Sequence, residues 1–281
     1  MSLTTRNHDR AVAGMTYVYP VVSRRAGGVS VGVNLNPNNA CNWRCIYCQV
    51  PDLKRGGPPP IDLAQLEEEL RRMLEAIVHG DFLASQVPEG MRRLNDVALS
   101  GNGEPTSAPE FPAVVDLIGR VLADFGLPGR VKLVLISNGS LAGKPQVQAG
   151  LRAMAGLGGE VWFKFDRATH AGLSLVNDTE SDPERHYQRL KTVAGLCPTW
   201  IQTCLFALDG APPPDAELDA WLALLARAVN EVVALRGVLL YGLARPSLQA
   251  EAARLSALPE AWLQALARRV EGLGLAVSVN P

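Results

Sequence analysis

Cys41-Asn42-Trp43-Arg44-Cys45-Ile46-Tyr47-Cys48 places three thiols within eight residues at the spacing C-x3-C-x2-C. Thiolates are the ligands of iron–sulfur clusters, and this spacing lets one loop wrap three of them around a face of a cubane. No fourth cysteine lies nearby. One iron of a 4Fe-4S cluster is therefore left for a ligand other than protein, much as a catalytic metal keeps a position open. Two other readings of the same thiols stand beside this one: a structural zinc site, with His170, His186, Cys197 or Cys204 as a distant fourth ligand, and incidental buried cysteines. The chain holds no C-x-x-C-H, so covalent haem is excluded.

The cysteine loop follows a β-type run, Ser30 to Asn36. Further such runs are Asp96 to Ser100, Lys132 to Ser137, Glu160 to Asp166, Trp200 to Ala207 and Arg236 to Tyr241, with a weaker one at Leu275 to Asn280. Leu/Ala-rich segments of helical period separate them: Ile61 to His79, Phe111 to Phe125, Lys144 to Gly156, Pro183 to Leu196, Ala216 to Val229 and Pro259 to Gly272. Asp62 is the expected N-cap of the first helix, with Glu67 to Glu69 near its first turns. The alternation predicts an α/β fold, a partial (β/α)6 barrel with parallel strands. The expected division is an N-terminal extension (1–29), the barrel (30–246), and a C-terminal helix and short strand (247–281) completing the same domain.

A chain of 281 residues with 47% hydrophobic and 20% charged residues is globular in composition, and its formal net charge of -1 supplies no global attraction to nucleic acid. Basic pairs occur at Arg24-Arg25, Lys54-Arg55, Arg71-Arg72, Arg92-Arg93 and Arg268-Arg269, each also explained as a solvated face. The amino-terminal residues lack the apolar core of a signal peptide, and no apolar run spans a bilayer, so a cytoplasmic protein without a membrane partner is expected. His8, His79, His170 and His186 read as surface or helix-end residues. Cys197 and Cys204 read as core thiols.

In barrels, function gathers at the carboxyl ends of the strands. Those ends carry Ser100-Gly101-Asn102-Gly103-Glu104-Pro105-Thr106, then Ser137-Asn138-Gly139, Lys164 and Asp166, Gln202 and Cys204, and Tyr241-Gly242 followed by Arg245-Pro246. Lys164 and Asp166 are expected on one face of their strand, either as an ion pair plugging the barrel or as substrate or cofactor contacts.

The cysteine loop, with the aromatic Tyr47 before its last cysteine, and the N-G-E-P turn resemble the radical S-adenosylmethionine superfamily. The resemblance implies a 4Fe-4S cluster on Cys41, Cys45 and Cys48, with S-adenosylmethionine on the open iron. One-electron cleavage of the cofactor then gives a 5′-deoxyadenosyl radical that takes hydrogen from a substrate. It also implies cofactor contacts from Tyr47, Gly101, Asn102, Gly103, Glu104, Ser137, Asn138, Gln202 and the backbone around Leu240, with Arg245 toward the substrate and Lys164, Asp166 and Arg245 as catalytic candidates. A flavodoxin or ferredoxin is the implied electron donor.

The segments N-L-N-P-N-N-A-C, S-G-N-G-E-P-T, K-F-D and Y-G-L-A-R-P look closest to the short enzymes grouped with wyosine tRNA synthases, which makes a tRNA base one expected substrate and a small metabolite the other. Two departures from that group are the absence of any cysteine before Cys41, hence of a second cluster, and Ala244 where an aspartate is usual. A glycyl-radical-enzyme activase and a purely redox iron–sulfur protein are the alternatives.

Overall fold

Alternation of side chains along each strand builds the molecule. In the computed structural model, which describes Leu3 and residues 14–23 and 27–281, one sheet contains β1 (Val18–Ser23), β2 (Gly28–Val33), β3 (Leu94–Leu99), β4 (Lys132–Ser137), β5 (Glu160–Lys164), β6 (Thr199–Cys204), β7 (Leu235–Tyr241) and β8 (Val277–Asn280). Its strands lie in sequence order. β1 pairs antiparallel with β2, and every later pair is parallel.

Helices cross between the parallel strands: α1 (Leu63–Val78), α2 (Phe111–Asp124), α3 (Pro145–Gly156), α4 (His170–Asn177), α5 (Pro183–Ala194), α6 (Asp215–Asn230) and α7 (Glu260–Glu271). One residue parity of each strand joins the helices in the core: Val29, Val31 and Val33; Val97 and Leu99; Leu133 and Leu135; Val161 and Phe163; Ile201; Val238 and Leu240. The other parity lines a cavity on the opposite face, with Ser30, Asp96, Ala98, Ile136, Trp162, Lys164, Gln202, Cys204 and Tyr241. Tyr19, Val21 and Ser23 of β1 and Asn280 of β8 line the same cavity. The two edge strands therefore face one space, and the sheet curls into a partial barrel, as the βα alternation predicted.

The antiparallel strand β1 lies within residues read from sequence only as an extension. It is held by Glu69, which is buried on α1 and accepts the backbone N–H groups of Thr16, Tyr17 and Val18 at 2.9, 2.7 and 3.1 Å. Glu69 thus satisfies an entering strand rather than a helix dipole. Asp62 caps α1 as expected, accepting from the backbone N–H groups of Ala64 and Gln65. α4 is a helix the apolar periodicity did not reveal, being only eight residues long. His8 and the Arg24-Arg25 pair lie outside the described residues.

Candidate functional site

The cysteine loop is clamped from two sides. At the carboxyl end of α4, the carbonyls of Asn177 and Val176 accept the N–H groups of Arg44 (3.2 Å) and Ile46 (2.9 Å). On the other side, Ser247 Oγ donates to the Ile46 carbonyl at 2.7 Å, and the Leu248 N–H donates to that of Cys48 at 2.9 Å. Arg44 ties the two clamps together through Asp178 at 3.0 Å and Glu251 at 2.7 Å. The loop, short and rich in polar backbone, is ordered by partners distant in sequence.

The asparagine-rich lead-in joins this loop to the turn after β3. Asn34 Oδ1 accepts the N–H groups of Asn36 and Asn102, both at 3.0 Å, and Asn102 Nδ2 donates to Asn39 Oδ1 at 2.6 Å. A Cβ on Gly101 would sit 2.3 Å from Asn34 Oδ1, and one on Gly103 would sit 2.1 Å from the Ala40 carbonyl oxygen. Both glycines are required by packing against the lead-in.

Cys41, Cys45 and Cys48 line the cavity together with Tyr47, Gly101, Asn102, Gly103, Glu104, Asn138, Lys164, Gln202 and Arg245. Its volume is about 280 Å³. Burial pushes the Cys41 and Cys45 thiols up to about 11 and about 12, so a cation is needed to hold them as thiolates near neutral pH. Among the described residues no group of His, Cys, Asp or Glu side chains converges as ligands to one ion. The three thiols stand around a shared space instead, a donor set that fits separate irons of one cluster.

Lys164 and Asp166 form no direct ion pair. Lys164 Nζ lies 2.9 Å from Tyr47 Oη and 3.3 Å from Tyr241 Oη, and Tyr47 Oη donates to Asp166 Oδ2 at 2.5 Å. Burial opposes the Lys164 ammonium, but Tyr241, Asp166, Cys45 and Cys204 around it raise its pKa above the usual lysine value. Burial, followed by Asp166, drives the Tyr47 phenol well above its own.

Three expected site residues are not cavity walls. Asp166, two residues past Lys164 at the end of β5, keeps the parity of Lys164, with Phe163 and Phe165 in the core, but its buried carboxylate is taken up by Tyr47 Oη, the Cys204 N–H at 2.8 Å and Asn177 Nδ2 at 2.7 Å. Ser137 shares the parity of Leu133 and Leu135, and its hydroxyl donates to Glu104 Oε1 at 2.8 Å. Leu240 is fully buried in the core among the helices. Glu104 also accepts from Thr106 N (3.1 Å), Thr106 Oγ1 (2.6 Å) and Asn138 N (2.7 Å), so its carboxylate is engaged in joining the two strand ends. Burial outweighs these donors and raises its pKa.

Two further residues emerge only in three dimensions. Asn177 donates to Cys45 Sγ at 3.2 Å. His186, expected at a surface or a helix end, stands in the first turn of α5 and is fully buried against Trp43, Phe163 and Phe165, with Nε2 3.0 Å from the Lys164 carbonyl oxygen; burial holds it down to about 4. Its position on the apolar stripe of α5 beside Tyr187 and Leu190 was the available signal. Cys197 and Cys204 are both buried in apolar clusters as expected, and Cys204 also lines the cavity.

No family model matches the chain. It is 31% identical over 138 residues to the "UPF0026 protein" of one Helicobacter pylori strain and 30% identical over 138 residues to that of another. In each case the match covers 47% of this chain and 38% of the relative, so the chain spans well under half the length of either. Among solved structures, the cobalamin-dependent S-adenosylmethionine radical enzyme OxsB aligns with a TM-score of 0.49 at 15% identity, covering 71% of this chain and 26% of that one. A domain of pyruvate-formate lyase-activating enzyme from Bacteroides vulgatus aligns with a TM-score of 0.44 at 14% identity, over 66% of this chain and 99% of that one. Among the proteins the chain is similar to are thus two relatives matched over part of their length and two structures aligned over about two thirds of the chain.

Proposed function

We propose that this chain is a radical S-adenosylmethionine enzyme. The observation that carries the reading is that Cys41, Cys45 and Cys48 line one cavity at the carboxyl ends of parallel strands together with the Gly101 to Glu104 turn. Cys41, Cys45 and Cys48 would hold a 4Fe-4S cluster. Tyr47, Gly101, Asn102, Gly103, Asn138 and Gln202 would hold S-adenosylmethionine, with Glu104 and Ser137 fixing the two turns that present them. When bound, the two groups supply one-electron cleavage of the cofactor to a 5′-deoxyadenosyl radical, a powerful hydrogen abstractor.

The protein supplies position and exclusion. The two clamps fix the thiol loop. Lys164, kept charged beside Tyr47 and Tyr241, presents a half-buried cation to any anionic group in the cavity, and Gln202 Nε2, buried without a hydrogen-bond partner, presents a donor. Arg245 lines the same cavity and is assigned to the substrate side.

For the substrate, a small molecule is favoured over a tRNA base, because both edge strands wall the cavity and each basic pair among the described residues has an arginine engaged within the chain. Arg71 bonds Glu67 and Asp124, Arg92 bonds the Val87 and Ala84 carbonyls, and Arg269 bonds Asp219. A flavodoxin or ferredoxin in the cytoplasm is the proposed electron source. Among the described residues no helix is long and apolar enough to cross a membrane.

The test is anaerobic cluster reconstitution, reduction with dithionite, addition of S-adenosylmethionine, and chromatography for 5′-deoxyadenosine, with Cys45→Ala as control. Product from the wild type alone supports the reading. A reconstituted wild type that makes none and shows no spectral response to the cofactor refutes it.

A further inference from the structure

Asn177 is the last residue of α4 and is fully buried. Its Nδ2 carries two hydrogens and has two partners, Asp166 Oδ2 at 2.7 Å and Cys45 Sγ at 3.2 Å. Asp166 fixes which way the amide faces, because a flipped amide would set Oδ1 against a carboxylate oxygen. Asp166 is itself held by Tyr47 Oη at 2.5 Å and the Cys204 N–H at 2.8 Å, so the orientation is set by a buried network and is not a free rotamer.

Two observations separate this side chain from loop building. The backbone carbonyls of Val176 and Asn177 already grip the cysteine loop through Ile46 and Arg44. In addition, Asn177 Oδ1 is buried with no hydrogen-bond partner. An unsatisfied buried carbonyl is costly, and an apolar residue of similar size would avoid it. What the amide adds, and an apolar residue lacks, is an N–H aimed at sulfur.

We propose that Asn177 is a positioning residue that tunes the cluster's reduction potential through its N–H···S bond to Cys45; this rests on the 4Fe-4S reading above. Reduction adds negative charge to the cluster and its thiolates. A donor on a ligand sulfur stabilises that charge, so hydrogen bonds to sulfur are among the determinants of cluster potential. Asn177 therefore makes the cluster easier to reduce.

The experiment is an EPR-monitored redox titration of the reconstituted full chain, comparing wild type with Asn177→Leu and the smaller Asn177→Ser, each normalised to iron content. The expected result is a fall of about tenfold in the equilibrium constant for one-electron reduction in both variants, a shift of about 59 mV to more negative potential. Unchanged potentials at equal iron content overturn the inference while leaving the functional reading intact. Loss of cluster from both variants also overturns it, making Asn177 a loop-building residue. A wild type that takes up no cluster refutes the functional reading, and this one with it.

Discussion

Substituting Glu104 distinguishes a carboxylate that braces two turns from one that only faces the cavity. Oε1 accepts from Thr106 N, Thr106 Oγ1 and Ser137 Oγ, and Oε2 accepts from Asn138 N. In Glu104→Ala the two hydroxyls can rotate to other acceptors, but the buried N–H groups of Thr106 and Asn138 cannot. Each orphaned donor costs about 1–3 kcal/mol, so the two together put the alanine variant in the range of about 2–6 kcal/mol. In Glu104→Gln the amide oxygen keeps the Oε1 partners, and only the Asn138 N–H is left facing a donor. That single loss is offset in part because burial already disfavours the charged form, so about 1–2 kcal/mol is expected.

The pH dependence carries a sign of its own. The folded pKa of Glu104 lies above its unfolded value, so the stability it contributes is fully present below the unfolded pKa. That contribution is lost as pH rises through the folded one. The glutamine variant lacks this slope and should gain on the wild type as pH rises toward neutrality. Urea unfolding of the reduced apoprotein across pH measures both effects. Equal costs for the two substitutions, or an alanine cost under about 1 kcal/mol, would refute the bracing role.

Gly103→Ala puts a methyl 2.1 Å from the Ala40 carbonyl oxygen and should cost about 1–3 kcal/mol by overpacking, with reduced iron uptake because Ala40 precedes Cys41; calorimetry and iron analysis check it. His186, held down to about 4 by burial, must stay neutral in the fold. Stability should fall by about 3 kcal/mol as pH drops from about 6.5 to about 4, and His186→Phe should flatten that slope in acid denaturation. Lys164→Met should lower 5′-deoxyadenosine formation about tenfold, about 1.4 kcal/mol, at unchanged iron content. Loss of iron instead would assign Lys164 to the cysteine loop.

The cysteine spacing, the N-G-E-P turn and the βα alternation were legible because each is a local pattern. Thiol chemistry needs only residue type and spacing, and strand or helix period needs only neighbours. Alternation also assigned Lys164 and Gln202 to the cavity face, since both stand on regular strand. The same alternation reached Asp166, two residues past the end of β5, since Phe165 joins Phe163 in the core and the Asp166 carboxylate and Lys164 meet the same Tyr47 hydroxyl; it did not tell that this carboxylate is taken up by partners instead of walling the cavity.

Glu104, Ser137 and Asn177 show what pattern does not reach. Glu104 is a cavity residue by position, yet its oxygens are committed to Thr106, Ser137 and Asn138; sequence names an acid but not its partners. Asn177 meets Cys45 from 132 residues away, and His186 lies beneath Lys164 from 22 residues away. Sequence alone determined the parallel α/β scaffold and the three thiols, through local periodicity and ligand spacing. Tertiary packing decided which polar atoms face the cavity and which are consumed in holding it, because burial obliges each donor and acceptor to find a partner wherever the folded chain supplies one.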